Sequence, residues 1–350
     1  MDKPKVLQLI TGLNPGGAEK VVFDLSLYLN NNGFDVHVIG LSELDRLLQN
    51  FLDNKINARV LKLTKNPWLF IKGLFAVNKF IKQNNIKLIH AHLMHALIFA
   101  SLLKIINPSL SVVFTSHSFN IGSKIRFGIV KFLKPFRKAD ILFSEKMRRP
   151  CYKSDALIIP NGINVESYAT SYIKYPKFTF LCIGRLEHVK NQKCLIDFAA
   201  CLKHQFEFEI KLVGDGVLRA QLMQYAQEQG VADVVDFCGF SNNIAEMCAR
   251  AHVFLMPSLW EGLPISLLEA GASGLPVLAT PVGSIPEVIT PAHGYLAEAA
   301  LFPQMMLHIY ENYAEATAKA AALKILVKEK YSLDGIAQKH INLYKSMLID

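Results

Sequence analysis

In the segment IGRLEHVKN, Arg185 and Lys190 follow Gly184 at the end of an apolar run. A guanidinium forks onto phosphate oxygens and an ammonium adds a point charge, so the pair suits an anionic ligand. Two ordinary solvated side chains are the plain alternative. The segment EGLPISLLEA sets Glu261 and Glu269 eight residues apart. Pro264 can open a helix from its first position, which puts Glu269 about one and a half turns inside it. There, beside Leu267 and Leu268, a carboxylate needs a partner. Hydroxyls of a sugar or ribose would serve, as would a cap and a salt bridge. Near the N-terminus, GLNPGGAE joins a strand to a helix, and Gly16 and Gly17 let backbone approach a ligand where free N–H groups attract anions. A tight turn is again the alternative. It matches neither G-x-G-x-x-G nor G-x-x-x-x-G-K-[ST]. Four histidines complete the set: His90, His92 and His95 cluster, and His117 ends SVVFTSH. No carboxylate accompanies His90 and His92, so packing and polar contacts outweigh metal ligation. His117 stands at a strand's C-terminal end, where open α/β sheets place ligands.

These residues hang on a repeating pattern. KVLQLIT (5–11), FDVHVIGL (34–41), IKLIHAH (86–92), SVVFTSH (111–117), ADILFSE (139–145) and ALIIPNGI (156–163) read as buried strands, with helices near 18–31 and 66–84. After VESYATSYIKYPK the pattern restarts with FTFLCIGR (178–185), FEIKLVGDG (208–216), VDFCGF (235–240), HVFLMPS (252–258) and LPVLATP (275–281). Helices fall between these runs, and helix is expected from about Pro303 onward. Strands separated by helices imply parallel βαβ units. The expectation is two doubly wound α/β domains facing a cleft, 1–165 and 166–330, and a final helix over 331–350.

Composition bounds the function. A hydrophobic fraction of 51% and a charged fraction of 19% over 350 residues exclude disorder and low complexity. No run reaches the roughly 20 apolar residues of a spanning helix, and no signal peptide is visible. Six cysteines without C-x-x-C spacing suggest neither zinc nor disulfides. A cytoplasmic location is expected. Residues 1–165 carry a net charge of +13 and residues 166–350 carry −4, which together give the chain's +9. Such one-sided charge, with no nucleic-acid motif beside it, argues against nucleic acid.

GLNPGGAEKVV (12–22), IIPNGIN (158–164), GRLEHVKN (184–191), LVGDG (212–216) and SLWEGLPISLLEAGASGLPVLATPVGSIPEVI (258–289) occur in that order. Together they resemble the retaining glycosyltransferases of family 4, with the GT-B fold. The resemblance implies hexose-type sugar transfer from a nucleoside-diphosphate sugar to a saccharide or lipid-linked acceptor, in cell-envelope polysaccharide or lipopolysaccharide synthesis. It implies that Arg185 and Lys190 hold the diphosphate beside Gly184. Glu261 would bind donor-sugar hydroxyls with the N–H groups of Gly262 and Leu263, and Glu269 the ribose. Gly16 and Gly17 would close on the diphosphate and acceptor, His117 would approach the reacting centre, and backbone near Phe240 would meet the base. The last helix would pack back on the first domain. No D-x-D triplet occurs, which agrees with a transfer that needs no metal or other cofactor. Two positions depart from the family pattern: Gly283-Ser284 where Gly-Gly is frequent, and Ser118 where Gly or Asp is common. A sugar-nucleotide epimerase and a non-catalytic sugar-nucleotide-binding module remain the alternatives.

One segment speaks apart from the resemblance. Lys124, Arg126, Lys131, Lys134, Arg137 and Lys138 interleave with Ile125, Phe127, Ile129, Val130, Phe132, Leu133 and Phe136, and Arg148 and Arg149 lie just beyond. Residues 124–138 thus suit an anionic membrane surface, with the protein peripheral on the inner face of the cytoplasmic membrane.

Overall fold

The computed structural model describes residues 3–64, 66–119 and 121–348. The chain forms two compact units, one from Met1–Gly162 with Leu333–Asp350 and one from Ile163–Ser332.

The first unit runs β1 (Lys5–Ile10), α1 (Gly17–Asn31), β2 (Asp35–Gly40), α2 (Leu48–Asp53), β3 (Asn57–Val60), α3 (Pro67–Gln83), β4 (Leu88–His92), α4 (Leu93–Ile106), β5 (Ser111–Thr115), α5 (Lys124–Phe132), β6 (Ala139–Leu142) and β7 (Leu157–Ile158). Its strands order as β3-β2-β1-β4-β5-β6-β7, all parallel. The second unit runs β8 (Phe178–Ile183), α6 (Lys193–Leu202), β9 (Phe208–Val213), α7 (Arg219–Glu228), β10 (Val235–Gly239), α8 (Ile244–Arg250), β11 (Val253–Met256), α9 (Ile265–Ser273), β12 (Val277–Ala279), α10 (Ile285–Val288), β13 (Tyr295–Leu296), α11 (Phe302–Glu311) and α12 (Tyr313–Lys330). Its order is β10-β9-β8-β11-β12-β13, again parallel. The chain closes with α13 (Leu333–Leu348).

Both sheets reverse winding direction once, between β1 and β4 and between β8 and β11. Loops leaving the carboxyl ends of those strands flank a topological switch point, where doubly wound sheets hold ligands. The central strands are buried on both faces, as helices on either side require. α13 joins the first core through Ile336, Ala337, Ile341, Tyr344 and Met347, beside α1. It approaches because residue 162 is glycine: a Cβ there would lie 2.9 Å from that of Ile336.

Right-handed crossovers put α3, α4 and α5 on one face of the first sheet and α1 and α2 on the other, where α13 packs against α1. The contacts of α3 with α4 and of α4 with α5 agree. The first face carries Lys72, Lys79, Lys82, Lys104, Lys124, Arg126 and Lys131 without one acidic residue.

Three expectations change. β3, at the sheet edge, alternates exposed and half-buried residues and has no apolar run to announce it. The C-terminal helical stretch divides into α11, α12 and α13. Arg137 is no surface residue: its side chain is fully buried 2.9 Å from the equally buried Asp140 and donates to the carbonyls of Val130 and Cys151. A carboxylate two residues beyond the basic segment thus withdraws one of its cations. Lys134 is half-buried, while Arg148 pairs with Glu145.

Candidate functional site

On the second unit, β8 ends at Ile183 and the chain turns through Gly184 and Arg185. Two glycines of the LVGDG segment make room for that turn. Gly214 has φ +138°, and a Cβ there would collide with the Gly184 carbonyl; one on Gly216 would collide with the backbone of Leu186. Lys190 closes a short 3-10 turn, His188–Lys190. Asn191 follows in the left-handed region and donates through its side-chain amide to the Pro257 carbonyl at 3.2 Å. The Leu259 N–H donates to the Val189 carbonyl at 2.9 Å. The loops after β8 and β11, on either side of the switch point, are stapled together.

Across that staple, Lys190 Nζ donates to Glu261 Oε1 at 2.6 Å, and Ser258 Oγ donates to the same oxygen at 2.7 Å. Both charged side chains are mostly buried, at 20% and 10% exposure. Thr280 Oγ1 donates to the Ser258 carbonyl at 2.6 Å, and the Ser284 N–H donates to the Gly262 carbonyl at 3.1 Å. Gly283, at φ +59°, packs where any Cβ would collide with the Glu261 carbonyl. Below the pair lies Cys182, whose thiol burial pushes up to about 12, Lys190 opposing and Glu261 adding. Arg185 is exposed and pairs with Glu187 at 3.1 Å.

Glu269 sits inside α9 and is buried, and Tyr168 Oη donates to its Oε1 at 2.7 Å. The partner its burial demands is thus at least in part a tyrosine from a turn about a hundred residues upstream. Phe240 is half-exposed just past β10, and Gly262 and Leu263 lead from Glu261 into α9. Ser258 and Tyr168 were not expected. A serine three residues before a glutamate gives no spacing signal, and Tyr168 is distant in sequence.

On the first unit, Leu13 anchors the loop after β1: its N–H donates to the Leu44 carbonyl at 2.7 Å. Gly16, extended, caps α1, and the Glu19 carboxylate occupies the space a Cβ on Gly16 would need. A Cβ on Gly17 would meet nothing within 4 Å. Gly17 is therefore open to an approaching molecule.

Four buried or half-buried histidines of this unit, His90, His92, His117 and His340, form one array. His92, at the end of β4, has its Nδ1 2.8 Å from His117 Nε2 and its Nε2 2.7 Å from Gln8 Oε1. His90 lies between Tyr344 Oη of α13, at 2.5 Å, and Thr115 Oγ1, at 2.6 Å. Leu93, directly after His92, is held at φ +71°, a strain of about 1–3 kcal/mol for a residue with a Cβ. Burial pulls the His117 ring down to about 3, with His340 adding, and His340 to about 4. His90 and His92 are also drawn down, first by burial and then by neighbouring rings. All four are neutral near neutral pH. His95 lies in the first turn of α4, outside this array.

A model described as "Glycosyltransferase Family 4" matches residues 15–167, and one described as "Glycosyl transferases group 1" matches residues 169–308. The chain belongs to glycosyltransferase family 4. Its glycosyltransferase activity follows from that membership. A putative glycosyltransferase of Bacillus subtilis, EpsF, is 33% identical over 47% of this chain and 44% of its own, so that match spans less than half of either protein. The gpi3 subunit of a Schizosaccharomyces pombe phosphatidylinositol N-acetylglucosaminyltransferase is 26% identical and covers 95% of this chain and 78% of its own. The Escherichia coli UDP-Gal:alpha-D-GlcNAc-diphosphoundecaprenol alpha-1,3-galactosyltransferase is 26% identical over 75% of this chain and 76% of its own. Among solved structures, Anabaena Alr3699/HepE in complex with UDP-glucose superposes with a TM-score of 0.86 at 20% identity, covering 98% of this chain and 99% of that one. Sucrose-phosphate synthase from Thermosynechococcus elongatus gives 0.83 at 19% identity, covering 99% of each. The fold is GT-B: two Rossmann-like α/β units.

Proposed function

We propose that this member transfers a sugar, with retention and without a metal, from a nucleoside-diphosphate sugar to a saccharide or lipid-linked acceptor at a membrane surface. The observation that carries this is the Lys190–Glu261–Ser258 contact at the switch point of the second sheet. It gives one cation and one carboxylate, fixed by backbone staples and partly desolvated, where charge on a leaving diphosphate can be met without reorganisation. Lys190 and Arg185, beside Gly184, would bind the diphosphate. Glu261 and the N–H groups of Gly262 and Leu263 would bind sugar hydroxyls, and backbone near Phe240 the base. Glu269 would reach the ribose while holding Tyr168. On the first unit, Gly16 and Gly17 would offer backbone to diphosphate or acceptor, and His117 would meet the donor sugar. With no side chain assigned as nucleophile, the acceptor would attack from the face the diphosphate leaves, and a leaving phosphate oxygen would take its proton. The relatives named for a phosphatidylinositol and a diphosphoundecaprenol acceptor support a lipid-linked partner.

The wholly basic helical face supports the membrane. It exposes Phe132 (75%) and Ile125 on α5 and Trp68 (69%), Ile71 and Phe75 on α3. Aromatic and aliphatic side chains among lysines suit a headgroup boundary, each cation adding about 1 kcal/mol near anionic lipid. No described helix is long and apolar enough to cross a membrane, and a peripheral seat on its cytoplasmic side follows from the proposal. A thermal-shift screen with UDP, GDP, ADP and their sugars tests the donor site, because bound ligand stabilises by mass action. Stabilisation by none of them would overturn the reading. Vesicle co-sedimentation tests the surface. Binding should need anionic lipid, weaken with salt and fall in Lys124→Glu/Arg126→Glu/Lys131→Glu; equal sedimentation of both proteins would refute it.

A further inference from the structure

His117 does not stand alone, and the groups behind it form a directed chain. Gln8, wholly buried on the central strand β1, turns its Oε1 toward His92 Nε2 at 2.7 Å and its Nε2 toward Tyr344 Oη at 3.4 Å. In this orientation of the amide the carbonyl oxygen only accepts, which puts the His92 proton on Nε2. Its Nδ1 is then a bare acceptor, and the 2.8 Å contact from His117 Nε2 must be donated by His117. The second arm is consistent. Tyr344 Oη accepts from Gln8, donates to His90 Nδ1 at 2.5 Å, and leaves His90 to donate from Nε2 to Thr115 Oγ1 at 2.6 Å. Turning the Gln8 amide over would reverse the His92 and His117 protons, because each ring has one hydrogen to share between two nitrogens.

We propose that Gln8 and His92 are positioning residues that fix the tautomer of His117, holding Nε2 protonated and leaving Nδ1 as a hydrogen-bond acceptor. A ring fixed in that state takes a hydrogen bond from a hydroxyl group and turns away a phosphate oxygen or carbonyl, which have no proton to give. The specificity is for hydroxyl-bearing ligand atoms. That consequence rests on the proposal that His117 meets the donor sugar; the tautomer itself does not. Both arms of the chain meet at Gln8, and one passes through Tyr344, so the C-terminal helix α13 contributes to the state of a ring presented by the loop after β5. His340 and Tyr344 pack against His90 and Phe143 against His117, and the carboxylate that lines the same cavity as His92 and His340, Asp24, is paired with Lys20 at 2.9 Å.

The test is nitrogen NMR of the ligand-free protein with 15N-labelled histidine, in which a bare ring nitrogen resonates far downfield of a protonated one. The His117 signals are those missing from His117→Gln. The expected pattern is a single Nε2–H tautomer. A His117 ring protonated on Nδ1, or an even mixture, in the unsubstituted protein overturns the proposal without need of any folded Gln8 variant. Gln8→Leu, which removes the acceptor before His92, should show both tautomers. At equal populations, affinity for the donor sugar nucleotide should then weaken about twofold, in proportion to the competent fraction. A single tautomer persisting in folded Gln8→Leu would refute the lock. A lock confirmed alongside unchanged donor affinity in His117→Gln would instead remove His117 from the donor site and leave the tautomer assignment standing.

Discussion

Replacing Lys190 with methionine separates the electrostatic role of the Lys190–Glu261 pair from its structural one. At 2.6 Å and an effective dielectric near 20, the attraction is about 6 kcal/mol before desolvation is subtracted. What matters for the variant is the carboxylate left behind. Glu261 is only 10% exposed, and removing one partner of a buried pair costs about 3–5 kcal/mol. Ser258 still donates to the same oxygen, which favours the lower figure. About 3 kcal/mol lowers the melting temperature of a unit this size by roughly 6–12 °C. Trp260 is the one tryptophan of the second unit, so its fluorescence in a Trp68→Phe background reports that unit alone. Adding Glu261→Gln removes the stranded charge, keeps an acceptor for Ser258, and should restore stability to within about 1 kcal/mol. Turnover should behave differently, falling about 10²–10³-fold in Lys190→Met and staying low in the double variant. If the double variant melted as low as Lys190→Met, a stranded carboxylate would not be the cause. If it regained turnover, the pair would be structural only.

Gly283→Ala should cost about 2 kcal/mol or more, because φ is +59° and the Glu261 carbonyl fills the space. Gly17→Ala, with open space around it, should melt within about 0.5 kcal/mol of the parent, so a loss of turnover there would mark ligand approach, and unchanged turnover would discard it. Arg137→Met should destabilise by about 3 kcal/mol by stranding Asp140, to which the Lys153 N–H still donates, while Lys131→Glu leaves the melting temperature nearly unchanged. Equal melting temperatures would return Arg137 to the surface. Acid should weaken the first unit before carboxylates titrate. His340 is held near 4 by burial against about 6.5 unfolded. Its contribution is complete above 6.5 and lost as pH falls toward 4, about 1.4 kcal/mol between pH 7.5 and 5.5. His117 acts in the same direction, and a melting temperature flat over that interval would contradict both assignments.

The strands that sequence pattern locates are those buried on both faces, where an apolar run has only one use. β1, β2, β4, β5, β8 and β11 are of this kind. β3 and β13 lie at sheet edges and are short, so neither run length nor alternation marks them. The sheet order was not legible, because strand pairing is set by crossovers between segments whose local patterns are alike. Charge misled for a related reason. The run from Lys124 to Lys138 looks uniform, yet Arg137 lies beyond the end of α5, where the chain turns back toward β6 and buries it against Asp140. Composition counts both kinds of arginine equally, and only burial separates them.

The motif residues of the site divide along a similar line. Gly214, Gly216 and Gly283 carry a steric signature, since each occupies a position where a Cβ would strike the backbone of the loop that bears Arg185, Lys190 or Glu261. Such glycines are visible in sequence because one residue type alone meets the requirement. The groups that set the state of the reactive side chains leave no such mark. Gln8, Ser258 and Tyr168 each supply one hydrogen bond to a histidine or a carboxylate, and many polar residues could do so from many positions. Their identity is dictated by what they face across the fold, His92 lying 84 positions along the chain from Gln8 and Glu269 101 positions from Tyr168. The donor set is therefore local and legible, whereas its protonation and orientation are properties of the packed core. A substitution far from any ligand, at Gln8 or Tyr344, can for that reason alter how His117 meets a ligand without changing a residue that touches one.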